Sequence, residues 1–289
     1  MSLNLSNKKT DKDGYNEFYK DQISDIFTLC NNPTGYMEVF KKSGLVPFCH
    51  GGNTKGYVRG LAVQKLISSS NELSVPRNEI TILDAGCGLG ELSVYLACQG
   101  FNVIGVDISE EACLSARELS KRMGVPHKCQ FLAESLEKLP IAGSSIDFVI
   151  GHASLHHFIK YDVPTEFHRV MKPHAKGFFA DSFGENPIYS VFHDKEKMER
   201  LGDVVLTKKR IESYFTNFKV RLTPTDWFSM LDKLYLKFVP KRFQRYVCNT
   251  SKIHFWLDRR LPISSRAMLF LSGSVMTEIE KIKASSVNE

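Results

Sequence analysis

The feature that most constrains this chain is a glycine run, Asp-Ala-Gly-Cys-Gly-Leu-Gly, at residues 84–90. Residues 79–83 form a short apolar stretch that predicts a buried strand, and residues 92–98 space their apolar side chains as a helix does. Glycines in the intervening turn allow unusual backbone angles and close approach of a ligand, while the helix offers unpaired N–H groups. The segment therefore predicts a site for an anionic or highly polar ligand.

A second apolar stretch, residues 101–106, follows and ends in Asp107. A carboxylate at the end of the second strand of a strand–helix–strand unit is placed to accept hydrogen bonds from both hydroxyls of a ribose. The two segments together predict a cofactor that contains a nucleoside.

The spacing of the glycines indicates which cofactor this is. Gly86, Gly88 and Gly90 do not follow the G-x-G-x-x-G pattern of dinucleotide-binding loops. Asp84, on the strand itself, would be badly placed beside a pyrophosphate but well placed near an ammonium group. This favours S-adenosylmethionine over NAD.

Three segments carry a family resemblance. The run "ILDAGCGLGELSVYLA" with the later "VIGVDIS" resembles motif I and the second strand of class I S-adenosylmethionine-dependent methyltransferases of the small-molecule type. "SSIDFVIGHASLHHF" and "FHRVMKPHAKGFFADSF" are similar to later motifs of that family, except that His174 and Ala175 replace the usual paired glycines. The resemblance covers roughly residues 78–183.

The resemblance also implies roles for individual residues. Asp84 would lie near the amino group of the donor, Asp107 would hold the ribose, and Glu134 would face the adenine edge. The full set of cofactor-binding residues that it implies is Asp84, Gly86, Cys87, Gly88, Gly90, Asp107, Ile108, Glu134, Ser135 and His152.

Catalytic candidates come from two places. His152 follows the fourth predicted strand, at the end of the sheet where open α/β folds bind ligands, and could act as a general base. Tyr19, on an amphipathic helix, and His50, in a glycine-rich loop, could contact the acceptor from a segment that closes over the site. Each of these residues could equally have a purely structural role in packing or hydrogen bonding.

A metal site is not predicted, although His152, His156 and His157 are spaced as H-x-x-x-H-H. No neighbouring cysteine or carboxylate completes a ligand set around them. One of His156 and His157 is expected to be structural.

The pattern of strands and helices predicts an α/β fold: a doubly wound, Rossmann-like, mostly parallel sheet. Strands are expected near 80–84, 102–106, 128–132, 146–150, 177–181 and 218–222, and residues 267–276 could form a closing strand or a buried helix. We expect a helical N-terminal lid at 1–75, the S-adenosylmethionine-binding core at 76–225, and at 226–289 a helical, aromatic-basic substrate cap with the closing element.

Composition narrows the class of protein further. The seven cysteines are scattered, without a C-x-x-C pair, which is typical of reduced thiols, and no apolar signal or membrane-spanning stretch is present, so we expect a cytoplasmic protein. The net charge of +6 does not by itself indicate nucleic-acid binding. Basic and aromatic residues alternate at 233–266, which could be a packed helical face, a cap over the acceptor, or a weak contact with anionic membrane.

The expected function is methyl transfer from S-adenosylmethionine to an oxygen or nitrogen nucleophile of a small-molecule metabolite, with release of S-adenosylhomocysteine. Alternatives are a lipophilic acceptor (a quinone, sterol or lipid) and a non-catalytic module that only binds the cofactor. A nucleic-acid methyltransferase is disfavoured, because residues 151–154 read Gly-His-Ala-Ser and not the N-P-P-Y or D-P-P-Y of many such enzymes. The acceptor and the oligomeric state stay open.

Overall fold

The computed structural model describes Tyr15, Asn16 and Tyr19 together with residues 55–185, 203–225 and 272–282. His50, most of the expected lid, and the aromatic-basic segment at 226–271 lie outside these described residues. No helix in the described ranges is both long enough and apolar enough to cross a bilayer.

The described ranges contain one seven-stranded sheet. In chain order the strands are β1 (Thr81–Ala85), β2 (Asn102–Asp107), β3 (Cys129–Ala133), β4 (Ile146–His152), β5 (Met171–Ser182), β6 (Phe218–Thr225) and β7 (Ser274–Lys281). Their spatial order is β3-β2-β1-β4-β5-β7-β6. The pairs among β1 to β5 are parallel, whereas β7 runs antiparallel to both β5 and β6. The prediction of a mostly parallel, Rossmann-like sheet is confirmed.

Helices cover both faces of this sheet. They are α1 (Lys55–Asn71), α2 (Glu91–Cys98), α3 (Glu110–Arg122), α4 (Leu155–Phe158), α5 (Val163–Val170) and α6 (Lys208–Tyr214). Helix α3 begins as its sequence predicts: the Ser109 hydroxyl accepts a hydrogen bond from the Ala112 N–H at 3.1 Å, and Glu110 and Glu111 occupy the first turn.

Two buried cores form, one on each face. Adjacent residues of a strand point to opposite faces, and Phe178 and Phe179 of β5 accordingly enter different cores. Phe178 packs with the core that includes Leu66 of α1. Phe179 lies in the other core, where its ring centroid is 6.0 Å from that of Phe167 and 5.8 Å from that of Phe215.

The structure differs from the sequence-based expectation at both ends of the predicted core. Helix α1, which falls within the expected lid, buries Val58 and Leu66 in the core of the sheet, because its apolar face covers the strands. Strand β7, which falls within the expected cap, lies between β5 and β6 and is part of the sheet. The closing element is therefore a strand, and it begins later than expected.

Strand β5 also begins earlier than the predicted 177–181. Ile146 pairs with Met171 and Phe148 with Lys176, so the register shifts between these two pairs. The intervening stretch includes Pro173 and His174, whose φ of 63° is left-handed. A proline followed by a left-handed residue is typical of a turn, which is why the sequence did not indicate a strand there.

Candidate functional site

The site lies at the carboxyl ends of the central parallel strands. Strand β1 pairs with β2 on one side and with β4 on the other, so the chain reverses its direction of winding at this point. Open α/β sheets bind ligands at such a switch point. The glycine loop follows β1, Asp107 is the last residue of β2, and His152 is the last residue of β4. All three therefore lie at the same edge of the sheet.

The glycine loop uses most of its own N–H groups internally. The Gly86 and Cys87 N–H groups both donate to the Val106 carbonyl, at 2.8 and 3.0 Å, and the Gly90 N–H donates to the Cys87 carbonyl at 3.0 Å. The Gly88 N–H donates to a carboxylate oxygen of Asp107 at 2.9 Å. These four donors thus hold the loop in shape.

The three glycines serve different purposes. A side chain at Gly86 would meet the Ser154 Cβ at 2.6 Å, and one at Gly90 would meet the Ala116 Cβ of α3 at 2.5 Å. Both of these glycines therefore allow protein elements to pack closely. A side chain at Gly88 would instead meet the Tyr19 hydroxyl oxygen at 2.9 Å, so the absence of a Cβ here lets Tyr19 approach the loop.

Asp107 joins the glycine loop to the start of α3. One carboxylate oxygen accepts from the Gly88 N–H and the other from the Ser109 N–H, each at 2.9 Å. Burial raises the pKa of this carboxyl group, although the backbone hydrogen bonds act in the opposite direction. Each oxygen has a second lone pair, so the carboxylate can still accept the hydroxyls of a ribose.

Asp84 is buried on β1 and bound by a residue that sequence reasoning missed. The hydroxyl of Ser93, on α2, donates to the Asp84 carboxylate at 2.6 Å. Burial raises the pKa of Asp84 to about 7, despite this hydrogen bond. A cationic ligand group nearby would favour the charged form. A buried serine on the apolar face of the helix after the loop is the signal that could have revealed it.

Two tyrosines from the N-terminal segment reach the site. The Tyr19 ring lies against Gly88, and burial, with the charge of Asp107 next, holds the pKa of its hydroxyl well above the usual range. The Tyr15 ring is 6.4 Å from that of Tyr19, and its hydroxyl lies 2.6 Å from His157 Nδ1.

The expected adenine side is formed by loops after β2 and β3. The Glu134 N–H donates to the Asp107 carbonyl at 3.0 Å, which brings the two loops together. Glu134 is exposed, whereas Ile108 and Ser135 are half-buried, and the Ser135 hydroxyl lies 3.4 Å from a Glu137 carboxylate oxygen. Their roles at an adenine ring remain proposals.

The histidines after β4 have carboxylate partners that the sequence did not reveal. His156 Nδ1 lies 2.7 Å from the Asp181 carboxylate at the end of β5, and His157 Nδ1 lies 2.7 Å from that of Asp203. The expectation that no carboxylate lies near these histidines is wrong, because the fold brings Asp181 and Asp203 to them from distant parts of the sequence. His152 ends β4 beside Ala180 and is half-buried, which leaves its catalytic role a proposal.

The residues present fit the donor. Two buried carboxylates lie at the loop: Asp107, which accepts from the Gly88 N–H, and Asp84 on β1. The Ser154 hydroxyl is buried next to Gly86 and has no hydrogen-bond partner among the described residues. A polar ligand group at the loop would satisfy this oxygen.

Comparison with known proteins agrees with this geometry. Residues 82–174 match a family model described as a methyltransferase domain. Sterol 4-C-methyltransferase strm-1 of Caenorhabditis elegans is 29% identical over 134 residues, which cover 46% of this chain and 38% of that protein. The S-adenosyl-L-methionine-dependent Diels-Alderase iccD of Talaromyces variabilis is 36% identical over 100 residues, which cover 32% of each protein. The chain thus spans roughly a third of the length of these relatives.

A solved structure shares the fold. Geranyl diphosphate C-methyltransferase from Streptomyces coelicolor A3(2), in complex with Mg²⁺, geranyl diphosphate and S-adenosyl-L-homocysteine, superposes with a TM-score of 0.53 at 12% identity. The match covers 76% of this chain and 77% of that one.

The sheet order and the glycine loop define the fold of the class I S-adenosylmethionine-dependent methyltransferases. Residues 82–174 match a methyltransferase domain. This part of the chain is therefore an enzyme domain similar to those of S-adenosylmethionine-dependent methyltransferases, and S-adenosylmethionine is the cofactor that the match and the fold indicate.

Proposed function

We propose that this protein transfers the methyl group of S-adenosylmethionine to an oxygen or nitrogen atom of a small molecule. The observation that carries the proposal is the contact between Tyr19 and Gly88, directly beside Asp107. An aromatic side chain across the donor loop encloses the reacting groups. Such a site suits a small acceptor and excludes water.

The donor would be held by groups that are already in place. Asp107 would accept the ribose hydroxyls, Asp84 would face the ammonium group, and Tyr19 would lie across the loop at Gly88. The sulfonium of the bound donor supplies an activated methyl group, so the protein chiefly positions the two reactants. The rigid connection between Asp107 and the loop serves that purpose.

The acceptor would approach from the ends of β4 and β5. A hydroxyl or ammonium group loses a proton around the time of methyl transfer, and we propose His152, at the end of β4, as the group that takes it. Tyr15 would form part of the wall on this side, since its hydroxyl lies 2.6 Å from His157 Nδ1.

A second candidate is a lipophilic isoprenoid acceptor, methylated at carbon or oxygen. Two similar proteins support it: one is named for a sterol, and the other is bound to geranyl diphosphate. A third similar protein is named as a Diels-Alderase. The experiment must therefore also detect a reaction in which no methyl group is transferred.

The test is incubation of the full chain with isotopically methyl-labelled donor and matched sets of acceptors: small phenols and amines, sterols and isoprenoid diphosphates. We expect S-adenosylhomocysteine and a labelled product from one set only. An Asp107→Ala variant should yield neither. Donor binding without S-adenosylhomocysteine from any set would overturn the proposal and favour a non-methylating role.

A further inference from the structure

Two histidines and a carboxylate converge after β4, outside the residues assigned to the donor. His156 and His157 belong to α4, and Asp203 belongs to a distant segment of the chain. Each offers a ligand atom, and these atoms all lie within 4.8 Å of one another. The side chains are 18%, 27% and 15% exposed, so the group is neither sealed nor fully solvated.

The backbone holds this cluster together. The Val204 N–H donates to the His156 carbonyl at 2.9 Å, which fixes the segment carrying Asp203 against α4. The two imidazole rings are 3.9 Å apart between centroids. The side chains therefore converge because of the fold and not through a chance meeting of long surface residues.

His156 is oriented in the way that metal-binding histidines are. Its Nδ1 lies 2.7 Å from an oxygen of Asp181, a carboxylate that is 1% exposed. Metal-bound histidines commonly donate one ring N–H to a carboxylate, which orients the ring and leaves the other nitrogen for the metal. Here that arrangement leaves Nε2 of His156 as the ligand atom.

His157 and Asp203 are in direct contact. Asp203 Oδ1 is buried and has no hydrogen-bond partner among the described residues, although it lies 2.7 Å from His157 Nδ1. Two atoms that bind the same metal at bond lengths of about 2.0–2.2 Å are roughly 3 Å apart. A shift of less than about 1 Å between the His157 nitrogen and the Asp203 oxygen would therefore let an ion bind to both. The Tyr15 hydroxyl shares this nitrogen, and a metal there would replace its hydrogen bond.

We propose that His156, His157 and Asp203 bind one divalent transition-metal ion, with Asp181 orienting His156 from behind. Two imidazoles and one carboxylate favour Zn²⁺, Co²⁺ or Ni²⁺ over Mg²⁺. Three protein ligands leave a position for water or for an oxygen atom of the acceptor. Only the suggestion that an oxygen atom of the acceptor takes this position rests on the proposed function.

The experiment is a calorimetric titration of the tag-free full chain, stripped with a chelator, with Zn²⁺ and separately with Co²⁺, whose visible spectrum reports its ligands. We expect one ion per chain. His156→Ala, His157→Ala and Asp203→Ala should each weaken binding by at least about a hundredfold, and Asp181→Asn by about ten- to a hundredfold. Zn²⁺ should raise the melting temperature of the wild type but not of the His156→Ala variant.

The matched control is His127→Ala, which removes an exposed histidine before β3 and should leave metal binding unchanged. Binding of S-adenosylmethionine by each variant reports that it is folded and tests the donor site separately. Absence of binding in the wild type would overturn the proposal. So would binding that survives in a His156→Ala/His157→Ala double variant that still binds the donor.

Discussion

The Asp107 carboxylate accepts a hydrogen bond from the Gly88 N–H at 2.9 Å, so the end of β2 and the glycine loop form one unit. This carboxylate has two tasks, because it shapes the loop and is also the proposed partner of the ribose. A substitution there should disturb both.

Asp107→Ala should lower the affinity for S-adenosylmethionine by about a hundredfold or more. It removes two charge-assisted hydrogen bonds to the ribose, each contributing roughly 1.5–3 kcal/mol, along with the support of the loop. Calorimetry on the folded variant measures this change. Glu110→Ala removes an exposed carboxylate nearby and is the control. Equal affinity in the Asp107 variant and the wild type would refute the assignment.

Gly88→Ala should weaken donor binding at least about tenfold, because the new Cβ would meet the Tyr19 hydroxyl oxygen at 2.9 Å and push this side chain away from the donor loop. Gly124→Ala is the matched control, since Gly124 also has a positive φ but no atom lies within 4 Å of the position of its added Cβ. Both variants should lose about 1 kcal/mol of stability from backbone strain, and only the first should lose donor affinity. Equal affinities in a titration would contradict this expectation.

The affinity for the donor should depend on pH through Asp84. Burial raises the pKa of this carboxyl to about 7 in the free protein. A bound ammonium group favours the carboxylate, so binding releases a proton below that pH. Affinity should therefore fall as the pH drops from about 7, by at most about tenfold per pH unit, and level off above it.

Calorimetry in buffers of different ionisation enthalpy detects this proton release. Asp84→Asn should abolish it, whereas Glu72→Gln, at an exposed glutamate, should not. Proton uptake on binding would show that Asp84 does not face a cation.

His174→Gly should stabilise the protein, since His174 is exposed and has a left-handed φ of 63°. Glycine adopts this conformation without the steric cost of a Cβ, and a gain of about 0.5–1 kcal/mol should raise the melting temperature by about 1–4 °C. His174→Ala keeps the Cβ and should bring no such gain. If thermal melts show the same stabilisation in the alanine and glycine variants, the gain would come from loss of the imidazole and not from relief of backbone strain.

The central strands and the donor loop can be predicted from the sequence because the residues that determine them are close together in the chain. Apolar runs, the glycine spacing and Asp107 lie within about one strand–helix–strand unit, where periodicity is informative. The pattern did not predict the part of β5 before residue 177, because Pro173 and His174 have the local character of a turn. The fold nevertheless pairs this stretch with β4.

The carboxylates beside the histidines depend on tertiary structure. Asp181 could have been inferred, because β4 and β5 are neighbours and their carboxyl ends meet at one edge. Asp203 had no such signal, since nothing in its surroundings relates it to His157. Likewise, the use of the loop N–H groups by Val106 and Asp107 becomes evident only when β1 and β2 are paired.

The position of β7 has a consequence for how the chain folds. Among the described strands, β6 pairs only with β7, and β7 lies between β6 and β5. A segment near residue 280 must therefore arrive before β6 can join this sheet. During synthesis on the ribosome, β5 would present an unpaired edge until that segment emerges. Unpaired edges promote intermolecular association, and such distant pairings form slowly. The window between translation of β6 and of β7 is thus the period in which a nascent chain of this protein most needs a chaperone.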